Sequence, residues 1–114
     1  MEYTANLPEL NADVALIRLN NALVASGQFA AEYDIKSRAV KVETFKVGTV
    51  SGERAFVHVK LALLSGRSPQ IKQQLSESLL AVVQELCEWP TDIEVQLAVE
   101  ILDIDRESYT KIAL

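Results

Sequence analysis

The feature that most constrains the fold is a strand, a turn and a helix followed by another strand, which together occupy residues 54–102. Apolar and polar residues alternate over 54–64 and again over 93–102, a period typical of strands with one buried face. A helix that joins two strands of one sheet makes them parallel, so this half of the chain predicts a β-α-β unit. The helix is predicted over residues 69–88, with its apolar stripe formed by Ile71, Leu75, Leu79, Val82, Val83 and Leu86.

The first half of the chain repeats this order less clearly. Glu2–Thr4 is predicted to be the end of a strand, and residues 12–26 form an apolar-striped helix with polar capping residues before it. Another strand is predicted over residues 35–47. Glycine and serine in residues 48–52 then indicate a hairpin loop that leads into the second half.

The predicted fold class is α+β, with tandem β-α-β units that form a mixed four-stranded sheet under two helices on one face. The hairpin makes the middle pair of strands antiparallel. With 114 residues, of which 49% are hydrophobic, the chain suits a single domain, assigned to residues 1–114. The sheet face away from the helices carries Phe56 and other apolar groups, which predicts packing against partner subunits.

Charge and cysteine content argue against several classes of function. The net charge of −5 and the isoelectric point near 4.8 argue against nucleic-acid and anionic-membrane partners. The single cysteine, Cys87, rules out an internal disulfide, and the single histidine, His58, has no second metal ligand, so no metal site is expected. The sequence shows no apolar run of membrane-spanning length and no basic-then-apolar leader, so we expect a cytoplasmic protein.

The turn before the second long helix is a candidate anion site. Gly66 permits a positive φ, Ser68 can cap the helix, and Pro69 suits its first position. The helix N-terminus then presents free backbone N–H groups beside the guanidinium of Arg67, an arrangement that suits a carboxylate. The alternative is that Arg67 is a solvated loop residue and that Ser68 and Pro69 only start a helix.

Three segments resemble known proteins. Gly66-Arg67-Ser68, leading into residues 71–74, resembles the start of the second helix in the tautomerase superfamily. Residues 20–27 through 35–38, from Asn-Asn-Ala-Leu-Val-Ala-Ser-Gly to Ile-Lys-Ser-Arg, resemble the 5-carboxymethyl-2-hydroxymuconate delta-isomerases. So do residues 55–59, Ala-Phe-Val-His-Val. The likeness extends over nearly the whole chain, and it makes the predicted fold tautomerase-like.

The resemblance implies a homotrimer of double β-α-β protomers with active sites near the subunit contacts. It implies a cofactor-free isomerase of aromatic-compound catabolism that moves a proton between carbons of an unsaturated dicarboxylate. In that family an N-terminal proline is the base and arginines bind the carboxylates. By this correspondence Arg67 binds substrate and stabilises charge on the dienolate. Lys36 replaces a second family arginine, and Arg38, two residues further on, matches the family.

The chain departs from the family at its start, because Met1-Glu2-Tyr3 contains no proline. The resemblance implies about four more residues before the position of Glu2. At about 3.3 Å per strand residue, their lack leaves the Met1 α-amine about 13 Å from the pocket, so it is not expected to replace proline. Two explanations stay open: a truncated isomerase, or a natural variant that kept the trimer and lost the chemistry. Lysine at position 36 favours the second, because lysine cannot present a forked donor to a carboxylate. The alternative function is a non-catalytic trimer that binds a small acid or another protein through the same basic pocket.

Overall fold

The computed structural model describes all 114 residues and contains the predicted strands and helices in the predicted order. The order along the sheet is β2-β1-β3-β4, with β1 parallel to β2, β1 antiparallel to β3, and β3 parallel to β4. Two β-α-β units therefore form one mixed four-stranded sheet, which confirms the predicted fold class. The elements are β1 Glu2–Thr4, α1 Ala12–Ala25, β2 Val40–Val42, β3 Arg54–Leu64, α2 Pro69–Gln84 and β4 Glu94–Ile104, with short 3₁₀ helices at Glu32–Asp34 and Arg106–Ser108.

The predicted hairpin is wrong, because β2 and β3 are not neighbours in the sheet. β1 lies between them, and the antiparallel pair is β1 with β3. Each helical crossover places its second strand on the outer side of the first, so β2 and β4 become the two edges. Residues 43–53 therefore connect an edge strand to a central one. Arg54 holds this connection, because its guanidinium donates a hydrogen bond to the Val47 carbonyl at 3.2 Å.

Strand β2 is much shorter than the strand predicted over residues 35–47. A strand needs a ladder partner at each position, and β1 offers only Glu2–Thr4, in register with Val40–Val42. Residues 35–39 consequently run beside the sheet without being part of it. On the other side of β1, strand β3 also continues beyond the last paired residue, His58. The space between these two segments is the cavity described below.

Helices α1 and α2 pack together on one face of the sheet, as predicted. Alternate residues of β3 face them and are buried, whereas Phe56, His58 and Lys60 point to the opposite face. We call this opposite surface of β3 and β4 the open face; it also carries Ala98 and Leu102. The buried core consists of Leu7, Leu10, Ala15, Leu19, Leu23, Ala55, Val57, Val59, Leu63, Leu75, Leu79 and Val83. Neither α-helix has the length and apolar content that a membrane-spanning segment needs.

Candidate functional site

A cavity of about 420 Å³ lies at the N-terminal end of β1, where β3 continues past its last residue paired with β1. One wall is the edge of β3 over residues 59–62, and the opposite wall is the segment of residues 34–38. Tyr109, from the tail after β4, also lines the cavity. The apolar floor comes from both helices, through Leu16, Leu19, Leu23 and Leu79. The cavity thus combines a hydrocarbon floor with polar walls, as small-molecule sites usually do.

The wall contains two cations that have no acidic partner. Lys36 and Arg38 both line the cavity, and no carboxylate lies within ion-pair distance of either side chain. A third cation of the wall, Lys60, lies 4.0 Å from the carboxylate of Glu2. The structure therefore brings two of the three predicted site residues, Lys36 and Arg38, to one hollow with unsatisfied positive charge.

Arg67 does not line this cavity. Its guanidinium donates hydrogen bonds to the carbonyls of Leu64 at 2.8 Å and Gln28 at 2.7 Å, and it lies 5.9 Å from the ring centroid of Phe29. Phe29 itself lines the cavity, so Arg67 lies behind one part of the cavity wall. The alternative of a solvated loop residue is wrong, because the guanidinium is half-buried and tied to two backbone carbonyls. Carboxylate binding by Arg67 stays a prediction.

The helix start beside Arg67 forms as the sequence predicts. Gly66 has a φ of +123°, a region that favours glycine. The Ser68 hydroxyl accepts a hydrogen bond from the Ile71 N–H at 3.2 Å, and Pro69 is the first residue of α2. The turn thereby fixes the direction in which the chain leaves β3 and enters the helix that supplies Leu79 to the cavity floor.

Met1 lies beside the segment that carries Lys36 and Arg38. It lines the cavity, and its α-amine donates a hydrogen bond to the Arg38 carbonyl at 2.8 Å. The expectation that this amine does not replace a proline base stays a prediction. Burial is the largest cause of a lowered pKa for this α-amine; the Glu2 charge opposes the shift, and Arg38 and Lys60 add to it.

Three residues of this region were not predicted from the sequence: Asp34, Tyr109 and Lys111. Asp34 lines the cavity, and the ammonium of Lys111 forms an ion pair with its carboxylate. The hydrogen bond between them is the largest cause of a lowered pKa for Asp34 and a raised pKa for Lys111, so both groups are charged at neutral pH. They lie 77 positions apart in the sequence, and no local pattern links residues so distant.

The remaining candidate residues do not form a second centre of this kind. His58 lies 2.8 Å from a Glu100 carboxylate oxygen, which accounts for the histidine without a metal. Burial raises the pKa of the Cys87 thiol, with Glu9 and Glu88 adding to the shift, so this cysteine is a poor nucleophile. A second cavity of about 220 Å³ is lined by acidic residues and has no cationic side chain, so it does not suit an anion: Glu9, Glu53, Glu88 and Asp92.

Two tandem β-α-β units that form one mixed four-stranded sheet under two helices are a tautomerase-like fold. The model of the family described as 5-carboxymethyl-2-hydroxymuconate isomerase matches residues 1–113. The chain belongs to that family, and this membership supports a role as an isomerase or tautomerase.

Solved structures agree with this assignment. A 5-carboxymethyl-2-hydroxymuconate isomerase from Deinococcus radiodurans R1 has a TM-score of 0.85 and 28% identity, over 97% of this chain and 84% of that one. N1, a member of the cis-3-chloroacrylic acid dehalogenase family, has a TM-score of 0.59 and 19% identity, over 97% and 80% of the two chains. Pt0534 has a TM-score of 0.55 and 18% identity, over 88% and 82%. The last two share the fold. No curated protein matches the chain.

Proposed function

We propose that this protein is a cofactor-free isomerase of unsaturated dicarboxylates of the 5-carboxymethyl-2-hydroxymuconate type, acting in the cytoplasm in aromatic-compound catabolism. One observation carries the proposal: Lys36 and Arg38 line an apolar-floored cavity and have no carboxylate partner. The two acidic residues that line the cavity, Glu2 and Asp34, are each paired with a lysine, so the cavity keeps its excess positive charge. A doubly negative ligand with a hydrocarbon middle complements both features.

The residues that line the cavity have different roles in binding the substrate. Lys36 and Arg38 hold the carboxylates, and the leucines of α1 and α2 contact the unsaturated carbons. Positive groups fixed beside an apolar floor also stabilise the negative charge that develops on a dienolate. Arg67 is proposed as a third group that stabilises this charge. Its support is its place directly behind Phe29 and the three guanidinium N–H groups that its two backbone hydrogen bonds leave free.

Proton transfer between carbons also needs a base, and the family resemblance assigns that role to an N-terminal proline. We expect a chain extended upstream of Met1, and processed to begin with proline, to ketonise a 2-hydroxymuconate or related 2-hydroxydienoate. By the register of β1 with β2, about four added residues would continue β1 beside residues 35–38, narrow the cavity and bring the proline next to Lys36. A positioned general base contributes about 10²- to 10⁴-fold, so the unextended chain should be slower by a similar factor. The decay of the dienol absorbance measures the rate, and intact mass verifies the processed N-terminus.

The matched control is the same extension with alanine in place of proline, which should be slower than the proline-bearing chain by about 10²- to 10⁴-fold. If the proline-bearing chain ketonises no muconate or 2-hydroxydienoate, the isomerase proposal fails for this protein. The second candidate, a non-catalytic trimeric binding protein, then gains support if dicarboxylates still bind. The observation that favours this candidate is lysine at position 36, where the resemblance implies an arginine with its forked donor.

We also propose that the functional unit is a homotrimer formed through the open face. This face presents Phe56, Ala98 and Leu102, and Leu102 is 41% exposed in the single chain. Phe45 packs edge-on against Phe56 at 6.3 Å between ring centroids, which widens the apolar surface. Size-exclusion chromatography with light scattering should give three times the 12.6 kDa chain mass. A monomer at micromolar concentration would contradict the trimer.

A further inference from the structure

The tail after β4 crosses the cavity as a strap, which we define as residues 105–111. At one end, the Arg106 guanidinium donates a hydrogen bond to the Ser65 carbonyl in the turn before α2. At the other end, Lys111 forms an ion pair with Asp34 in the segment before β2. Tyr109 lies between these two attachments and lines the cavity. The strap thus runs from the turn before α2 past the cavity to the segment before β2, where it places one cation on Asp34 of the cavity wall.

The Lys111 ammonium neutralises the Asp34 carboxylate on the cavity wall. Asp34 is the acidic residue nearest in sequence to Lys36 and Arg38, and all three line the same cavity. Lys36 lowers the pKa of Asp34, although Lys111 is the larger cause, so these charges interact. Without Lys111, the Asp34 carboxylate would cancel part of the positive charge that attracts an anion. Coulomb energy is proportional to the charge of the ligand, so a dianion would lose about twice as much binding free energy as a monoanion.

We propose that Lys111, through its ion pair with Asp34, determines the preference of the cavity for doubly charged over singly charged carboxylates. Lys111 is therefore a specificity-determining residue that acts through Asp34, and the strap holds it in place. This inference rests on the proposed function, because it presumes that carboxylates occupy the cavity. Both side chains are partly exposed, 42% for Lys111 and 34% for Asp34, so single substitutions should leave the fold intact.

The test compares two dienes that differ mainly in one carboxylate: trans,trans-muconate, a dianion, and sorbate, a monoanion. Isothermal titration calorimetry measures the dissociation constants. Lys111→Met should weaken the affinity for muconate by about three- to tenfold, and the affinity for sorbate by roughly the square root of that factor. Asp34→Asn should strengthen muconate binding by a similar factor. The double variant, which removes both charges, should return close to the unaltered affinity. Lys46→Met, which removes an exposed charge away from the cavity wall, should change neither affinity.

The two single substitutions are expected to change muconate affinity in opposite directions, which distinguishes an electrostatic role of the ion pair from a purely structural one. If the ion pair only fastened the strap, both substitutions would weaken binding, and that result would overturn the inference. Unchanged muconate binding in Lys111→Met would also overturn it while leaving the proposed function in place. If the unaltered chain binds no muconate, the proposed function fails and this inference fails with it. Muconate affinity that follows the charge at both positions would support it.

Discussion

Replacing Lys36 and Arg38 together by methionine is expected to weaken muconate binding by about 30- to 150-fold. Each substitution removes a charged hydrogen-bond donor from the cavity wall, and such bonds contribute about 1 to 1.5 kcal/mol each at partly solvated sites. Both residues are exposed and make no ion pair, so the free energy of unfolding should hardly change. Isothermal titration measures the affinity, and chemical denaturation verifies the fold.

The matched control removes the same net charge elsewhere. Lys41 and Lys46 are both exposed and neither lines the cavity, so the double variant Lys41→Met with Lys46→Met should retain muconate affinity within about twofold. Equal losses in the two double variants would show that muconate responds to overall charge rather than to this cavity. An unchanged affinity without Lys36 and Arg38 would contradict the assigned site.

Leu79→Ala should lower the free energy of unfolding by about 3 kcal/mol, within a range of about 2 to 5 kcal/mol for a buried leucine. Leu79 is 1% exposed, lies in α2 and belongs both to the core and to the cavity floor. The substitution leaves a void between helix and sheet that a packed interior cannot fully close. This loss is a large fraction of the roughly 5 to 15 kcal/mol that stabilises a typical domain.

Ile17→Ala provides the control, because it removes similar atoms from the same helical layer at a position that is 56% exposed. Its expected cost is below about 1 kcal/mol. Denaturant melts of both variants at one fixed protein concentration give the comparison, since an oligomer's stability depends on concentration. Equal costs for Leu79→Ala and Ile17→Ala would show that the core has been assigned to the wrong residues.

The parts of the fold that the sequence predicts well are those with strong local patterns. Residues 54–64 alternate regularly, and the strand occupies the predicted range. The start of α2 is also correct, because Ser68 and Pro69 act through hydrogen bonds within their own turn. The predicted end of α2, at residue 88, is about one turn too late, because the helix stops at Gln84.

Strand pairing was harder to predict, because it depends on distant partners. The alternation near residues 40–42 is real, but the length of β2 is set by the three residues of β1 that it pairs with. Which strand lies beside β3 depends on the crossover of the first unit, and a short loop between two strands does not require a hairpin. The sequence pattern contains neither constraint.

Only part of the candidate site could be predicted from the sequence, because some of its contacts join residues that are distant in the chain. Lys36 and Arg38 came from the family resemblance, and the structure places both on one cavity wall. Arg67 came from a local turn, which forms as expected, but the backbone carbonyls that hold its guanidinium belong partly to the distant residue Gln28. Asp34 and Lys111 meet only because the tail returns across the cavity after β4, and charge patterns within either segment give no sign of it.

The most direct test of the central claim is to map the bound ligand on the protein by NMR. In a titration of isotope-labelled chain with trans,trans-muconate, we expect the largest amide shift changes in residues 34–38 and 59–62, the two walls of the basic cavity. Smaller changes are expected at Tyr109. Shift changes centred on the acidic cavity around residues 87–93, or no saturable changes at millimolar ligand, would contradict the claim that Lys36 and Arg38 form a dicarboxylate site.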